Sequence, residues 1–269
     1  MELPSNLDIA RVFESLQGEV KAEAADEATR IAGAWVSVGA TGWMSKALGL
    51  GVGGDVAPKT LDAIEAFFTA RGVPSRIELT SFAPEPLLEI LAERGYGLVQ
   101  VGSVFARGLD DMTEAEEGPA TIRRGPTKGV SIERLAPDDE AGLNEAMSVV
   151  CGGFVPDGGV LSTRDVATAI RVAGLPGTSS VVARAKGEIV GAGSVTVRHG
   201  VSNLYGCSVK LAQRHKGLHP ALMIERLRIA AEQGATLALM VSTPGAPTER
   251  NALRLGFVPS YTRLALVRR

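Results

Sequence analysis

The sequence predicts an α/β protein of two units, each a twisted mixed β-sheet flanked by helices, and three observations carry that prediction. Apolar residues switch repeatedly between helical spacing and short β-like runs along the chain. Glycines punctuate the junctions, 32 of them in 269 residues. One order of elements (helix, Gly, strand, helix, Gly-aromatic, strand) occurs twice. Gly72 and Gly95 mark it first, 23 residues apart, and Gly234 and Gly256 mark it again, 22 apart. A glycine-containing turn precedes each copy, at 49–54 (GLGVGG) and at Gly217.

The elements follow in order. Leu7, Ala10, Val12, Phe13 and Leu16 place a helix over 6–17, and Thr29 to Val38 read as β-like. Leu61, Ile64, Phe67 and Phe68 recur at helical spacing until Gly72 stops them. Arg76-Ile77-Glu78-Leu79 alternates as a strand does. Pro84 and Pro86 open a helix that Gly95 ends, and Leu98 to Phe105 give a strand. Residues 110–120 (DDMTEAEEGPA) are acidic and poor in apolar side chains, so the reading is residues 1–110 as a first domain, a linker at 111–120 and a second domain at 121–269. In the second domain, 121–135 read as strand and turn, 137–150 and 164–173 are helical and 151–159 (CGGFVPDGG) is a loop. Residues 179–184 and 189–197 make a strand pair turned at Lys186-Gly187-Glu188. A strand over 204–209, a helix with its apolar stripe at Met223, Leu227, Ala230 and Ala231, a strand over 237–241, a helix over 248–255 and a last strand over 258–267 complete it.

Composition excludes several function classes. Hydrophobic residues are 45% and charged residues 22%, the balance of a globular protein. A net charge of −2 argues against a nucleic-acid partner. No run approaches the ~18 uncharged apolar residues of a membrane span. Cys151 and Cys207 form neither a metal nor a redox spacing, so a reduced cytoplasm is the expected setting. Monomer and homodimer both remain open.

The stretch 205–221, YGCSVKLAQRHKGLHPA, carries the chemistry. An apolar strand runs into a basic loop, Arg214-His215-Lys216-Gly217-Leu218-His219, and Pro220 opens a helix. Loop amides and first-turn N–H groups lack intrahelical partners, and the helix dipole and cations favour an anion there, so this is a candidate phosphate cradle. The first copy has Asp55 and no Arg or Lys in its loop, and a carboxylate repels a phosphate, so that copy reads as scaffold. His215 and His219 stand four apart, but Gly217 and Pro220 interrupt the helix a metal pair needs, and no metal is expected. No base beside Cys207 is identifiable from the sequence, which disfavours it as a covalent nucleophile.

Residues 121–269 resemble the GNAT superfamily of N-acetyltransferases, most firmly in 204–269, through Arg214-x-x-Gly217 and Asn251…Leu255-Gly256-Phe257. The resemblance implies a tandem arrangement, a truncated GNAT-like half followed by a complete one. It implies acetyl-CoA as cosubstrate, its pyrophosphate in the loop Arg214, His215, Lys216, Gly217, Leu218, His219 and Pro220. It implies that the strand Cys207, Ser208, Val209 pairs through its backbone with the pantetheine arm, that the Val209 N–H polarises the thioester carbonyl, and that Asn251 bonds the arm. His219 stands where the family has a small residue. Many members carry an acidic Tyr where this chain has Ala252, and Tyr261 is the substitute candidate for general acid. The sequence does not single out a general base: Asp157, Glu188 and His199 are candidates, and a water chain would serve as well. The expected reaction is direct acetyl transfer to the primary amine of a small molecule. A protein acceptor, or acyl-CoA binding without turnover, are the alternatives.

Overall fold

The computed structural model describes residues 3–110, 129–156 and 159–268. The acidic linker, the first part of the strand and turn expected from Thr121, and Asp157 lie outside them. The chain divides into two compact units. The N-terminal unit comprises Pro4–Val104, Ser242–Pro244 and Pro259–Arg269; the C-terminal unit comprises chiefly Phe105–Val241 and Gly245–Val258.

In the N-terminal unit, Ser5 caps helix α1 (Asn6–Ala24) by accepting from the Asp8 N–H, and Ile9, Ala10, Phe13, Leu16, Val20 and Ala24 bury one face. The helix outlasts the expected 6–17 because Val20 and Ala24 continue that stripe. The β-like stretch expected at 29–38 is a hairpin, β1 (Glu27–Ile31) and β2 (Ala34–Val38), turned by Ala32 and Gly33 at φ 46° and 85°. Then come β3 (Lys46–Leu48), α2 (Pro58–Thr69), β4 (Ser75–Thr80), α3 (Glu85–Glu93) and β5 (Tyr96–Gly108), which passes into the C-terminal unit at Phe105. The final strand, β11 (Val258–Arg268), pairs antiparallel with β4 from Arg263↔Thr80 to Arg268↔Ser75. The expected boundary placed 259–269 with the second domain; the structure builds them into the N-terminal unit. The order is β1-β2-β3-β4-β11, with β3 and β4 parallel. Leu61, Ile64, Phe68, Ile77, Leu79 and Leu91 fill its core.

The C-terminal unit orders its strands β10-β9-β8-β7-β6, antiparallel except for the β9–β10 pair. They are β6 (Val130–Arg134), β7 (Thr178–Ala185), β8 (Glu188–Arg198), β9 (Val201–Val209) and β10 (Leu237–Ser242). Helix α6 (Leu218–Glu232) buries Leu222, Met223, Leu227 and Ala230 against Val181, Val195 and Leu204 on one face. Helices α4 (Glu140–Gly152) and α5 (Thr163–Ala173) bury Ala146, Met147, Val150 and Val166 against Val182, Ile189 and Ala192 on the other. Helix α7 (Pro247–Arg254) leads to β11. The repeated glycines do the same work in both copies. Gly72, Gly95, Gly234 and Gly256 sit at φ 64°, 81°, 80° and 79°, the left-handed position that ends a helix. Among the described residues no helix is long and apolar enough to cross a membrane.

Candidate functional site

The site starts where a strand loses its neighbour. β9 pairs with β10 from Val201↔Leu237 to Leu204↔Met240 and no further, so Tyr205–Val209 presents an open edge on that side. Unpaired strand groups can receive an extended, amide-rich ligand. Opposite β8 the register slips: Ala192 faces Ser208 and Ser194 faces Tyr205, so Gly206 and Cys207 together oppose Gly193. That is a β-bulge, with Gly206 at φ 56°. The extra residue shifts the alternation. Leu204, Cys207 and Val209 therefore all contact the core under α6, while Ser208 turns to the other face, where its Oγ occupies the space a side chain at Gly153 would need.

After β9 the chain makes one 3-10 turn (Leu211–Gln213) and enters α6 through Gly217, at φ 73°. His215 also takes a left-handed φ of 64°. Ala221 N is bonded to the Gly217 carbonyl, so the N–H groups of Leu218 and His219 lie ahead of the first intrahelical bond. Pro220, expected to open the helix, sits inside its first turn, where its missing N–H still removes no helical bond. Arg214, His215, Lys216 and Gly217 are exposed, whereas Leu218 is buried in the core and offers the site only its backbone. Arg214 Nε donates to the Val209 carbonyl at 3.2 Å, tying the cation to the open strand and engaging one main-chain group expected for the pantetheine arm. Lys216 Nζ donates to the Ala212 carbonyl and to Gln213 Oε1.

Beneath the loop the fold brings together residues far apart in sequence. Asn251, on α7, bonds His219 Nδ1 through its amide at 3.2 Å. His219 Nε2 is buried and has no ordinary hydrogen-bond partner among the described residues. The imidazole nonetheless neighbours Cys207 closely enough to act on its thiol. Arg226 is almost fully buried; it donates to the carbonyls of Leu222, Ser194 and Tyr205, and no carboxylate pairs with it among the described residues. Gly193 makes this possible: a Cβ there would stand 3.1 Å from both Arg226 Cζ and Cys207 Sγ. Burial alone would raise the Cys207 thiol, but the nearby Arg226 and, after it, His219 bring it down to about 7. Cys151 differs, its thiol pushed up by burial and by the Asp165 charge.

The other expected residues divide. Ala252 is fully buried. Tyr261, the expected acid, belongs to the N-terminal unit, where its hydroxyl donates to Glu14 Oε1 at 2.7 Å. Burial and the Glu14 charge push its pKa up, and with its proton committed to Glu14 the side chain has a structural role. His199 lies in the β8–β9 turn, at the far end of β9 from the bulge, and Glu188 is exposed with Lys210 Nζ at 3.9 Å. Arg226 was missed, although a cation among Leu222, Met223 and Leu227 is out of place on an apolar stripe. Among the described residues no group of His, Cys, Asp or Glu is arranged to hold a metal ion.

The N-terminal unit has its own hollow beside the loop that precedes α2, about 410 Å³, lined by Arg11, Arg30, Trp35, Gly51, Gly53 and Asp55 among others. Arg30 stacks on the Trp35 ring at 4.5 Å.

No protein-family model and no curated protein matches the sequence. Solved structures do. A GCN5-related N-acetyltransferase from Kribbella flavida superposes with a TM-score of 0.70 at 22% identity, over 96% of this chain and 95% of that one. A tandem GNAT protein from the clavulanic acid biosynthesis pathway gives 0.60 at 15%, over 98% and 96%. A GCN5-related N-acetyltransferase from Sphaerobacter thermophilus gives 0.60 at 18%, over 83% and 71%. The chain therefore has the GNAT fold, the fold of the GCN5-related N-acetyltransferases, with both of its units inside the match.

Proposed function

We propose that the C-terminal unit binds acetyl-CoA and transfers its acetyl group to the primary amine of a small molecule. The observation that carries this reading is the open edge of Tyr205–Val209 running into the first turn of α6. An extended pantetheine arm fits the first, and a pyrophosphate fits the unbonded N–H groups and exposed cations of the second. Asn251 and the loop 214–219 would hold the cosubstrate, and the Val209 N–H would face the thioester oxygen. The acceptor side falls to the loop after α4, which begins at Gly153 against Ser208 and exposes Phe154 and Val160. Exposed apolar side chains there suit an amine with an apolar body.

The buried Ala252 and the Glu14-bound Tyr261 support a second reading, an acyl-CoA-binding module without turnover. Measuring CoA release from acetyl-CoA against a panel of amines separates the two. The enzyme reading expects release that depends on at least one acceptor. Binding of acetyl-CoA with no acceptor-dependent release would leave only the binding module.

A further inference from the structure

We propose that Cys207 is an acyl acceptor, taking the acyl group from acyl-CoA as a protein thioester before the amine receives it, with His219 as its proton carrier and Asn251 holding the imidazole. This rests on the reading that the C-terminal unit binds acyl-CoA. Four placements carry it. The bulge at Gly206–Cys207 turns the sulfur to the same face as Val209, on the strand segment whose edge is open. Asn251 occupies Nδ1 of His219, which leaves the buried, unpartnered Nε2 as the nitrogen available to the thiol. Arg226 sets a buried guanidinium beside the sulfur with no competing carboxylate among the described residues, an environment that favours a thiolate. Gly193 leaves the room both need. A nucleophile, a base within reach and a third group orienting that base are the parts that activate a cysteine. The charged or titratable groups acting on Cys207 are Arg226 and His219, both on α6.

The step balances without any further reagent. His219 Nε2 accepts the Cys207 proton, and the sulfur attacks the acyl carbonyl carbon of acyl-CoA. The bond from that carbon to the CoA sulfur breaks, and Nε2 returns the proton to the departing sulfur. The products are CoA thiol and S-acyl Cys207. A neutral amine then attacks the new thioester, Nε2 takes the proton it loses, and that proton goes back to the Cys207 sulfur as the amide leaves. For Nε2 to accept, the neutral ring carries its hydrogen on Nδ1 and donates it to the Asn251 amide oxygen, the amide being turned so that its oxygen and not its nitrogen faces the ring. In the charged state both ring nitrogens carry hydrogen and that bond is kept. His219 thus supplies the acid that Ala252 and Tyr261 do not.

The test uses the whole chain with acetyl-CoA and no amine, followed by denaturation and intact mass measurement, with calorimetry on the same sample to record binding. The expected result is a gain of one acetyl group, mapped to Cys207, removed by hydroxylamine, and absent from Cys151 and from Cys207→Ser. His219→Gln should slow acylation about 100-fold, the scale of a lost general base. It should also raise the pH at which iodoacetamide reaches half its maximal rate at Cys207, expected near 7 in the unaltered chain. That shift is not expected of a residue that merely packs. Acetyl-CoA bound with no adduct would overturn the relay and leave the proposed function standing; failure to bind acetyl-CoA would remove both. An adduct shared equally with Cys151, or acceptor-dependent CoA release by Cys207→Ser at the unaltered rate, would also overturn it.

Discussion

The parallel strand pair of the N-terminal unit is closed by buried charge, and that of the C-terminal unit is open. In the first, Lys46 on β3 meets Glu78 on β4 at 2.5 Å, and Arg76 joins Glu78 at 3.0 Å. Arg263 on β11 reaches Glu78 at 3.7 Å and Glu14 at 2.6 Å, and Tyr261 completes the cluster through Glu14. These ionic groups are answered from within the unit, the arrangement buried charge requires. In the second, Leu204 and Met240 end the pairing, and the next residues are an open edge, a bulge and a thiol beside a guanidinium. One order of elements thus holds paired buried charges in the first copy and an open strand edge in the second.

Breaking the closed cluster should produce the largest effect. Glu14→Ala leaves Arg263 with Glu78 at 3.7 Å and the Gln17 side chain, and leaves the buried Tyr261 hydroxyl without its acceptor. The loss is up to about 3–5 kcal/mol, on the scale of a broken buried pair. Both tryptophans, Trp35 and Trp43, lie in the N-terminal unit, so their fluorescence in a denaturant titration reads this loss directly. A change under about 1 kcal/mol would mean the cluster closes nothing.

Acid should open the same cluster. Burial alone would raise Glu78, but Lys46 and Arg263 hold it at about 2, below its ordinary 4.5. A carboxyl depressed in the folded state stabilises fully above its unfolded value and loses that contribution as pH falls toward the folded one. The N-terminal unit should therefore weaken between about pH 4.5 and 2, by about 3 kcal/mol from this group. Glu78→Gln should flatten that slope, and an unchanged slope would place the acid sensitivity elsewhere.

Much of this comparison was legible in the sequence. The repeated glycines fixed the paired elements because a left-handed helix end demands glycine, and the basic loop was readable as short-range chemistry. β3 escaped because three residues hold no period, and the β1–β2 hairpin because Ala32-Gly33 is a weak turn signal. The partner of β11 was invisible: a strand pattern states that a strand exists and not which edge it joins. The union of Cys207, His219 and Asn251 was hidden for a related reason. The bulge at Gly206 breaks the alternation that assigns faces, and three separate elements supply the side chains. Tyr261 misled as an isolated hydroxyl because its partner, Glu14, lies at the other end of the chain.

The central claim is that acyl-CoA enters the C-terminal unit and not its N-terminal counterpart. Titrating acetyl-CoA calorimetrically into the unaltered chain, an Arg214→Ala/Lys216→Ala variant and an Arg11→Ala/Arg30→Ala variant tests it directly. We predict one site in the unaltered chain, affinity reduced at least about 10-fold in the first variant, on the scale of a charge-assisted hydrogen bond, and affinity unchanged in the second. Unchanged binding in the first variant with loss in the second would contradict the account and move the cosubstrate to the hollow lined by Arg11 and Arg30.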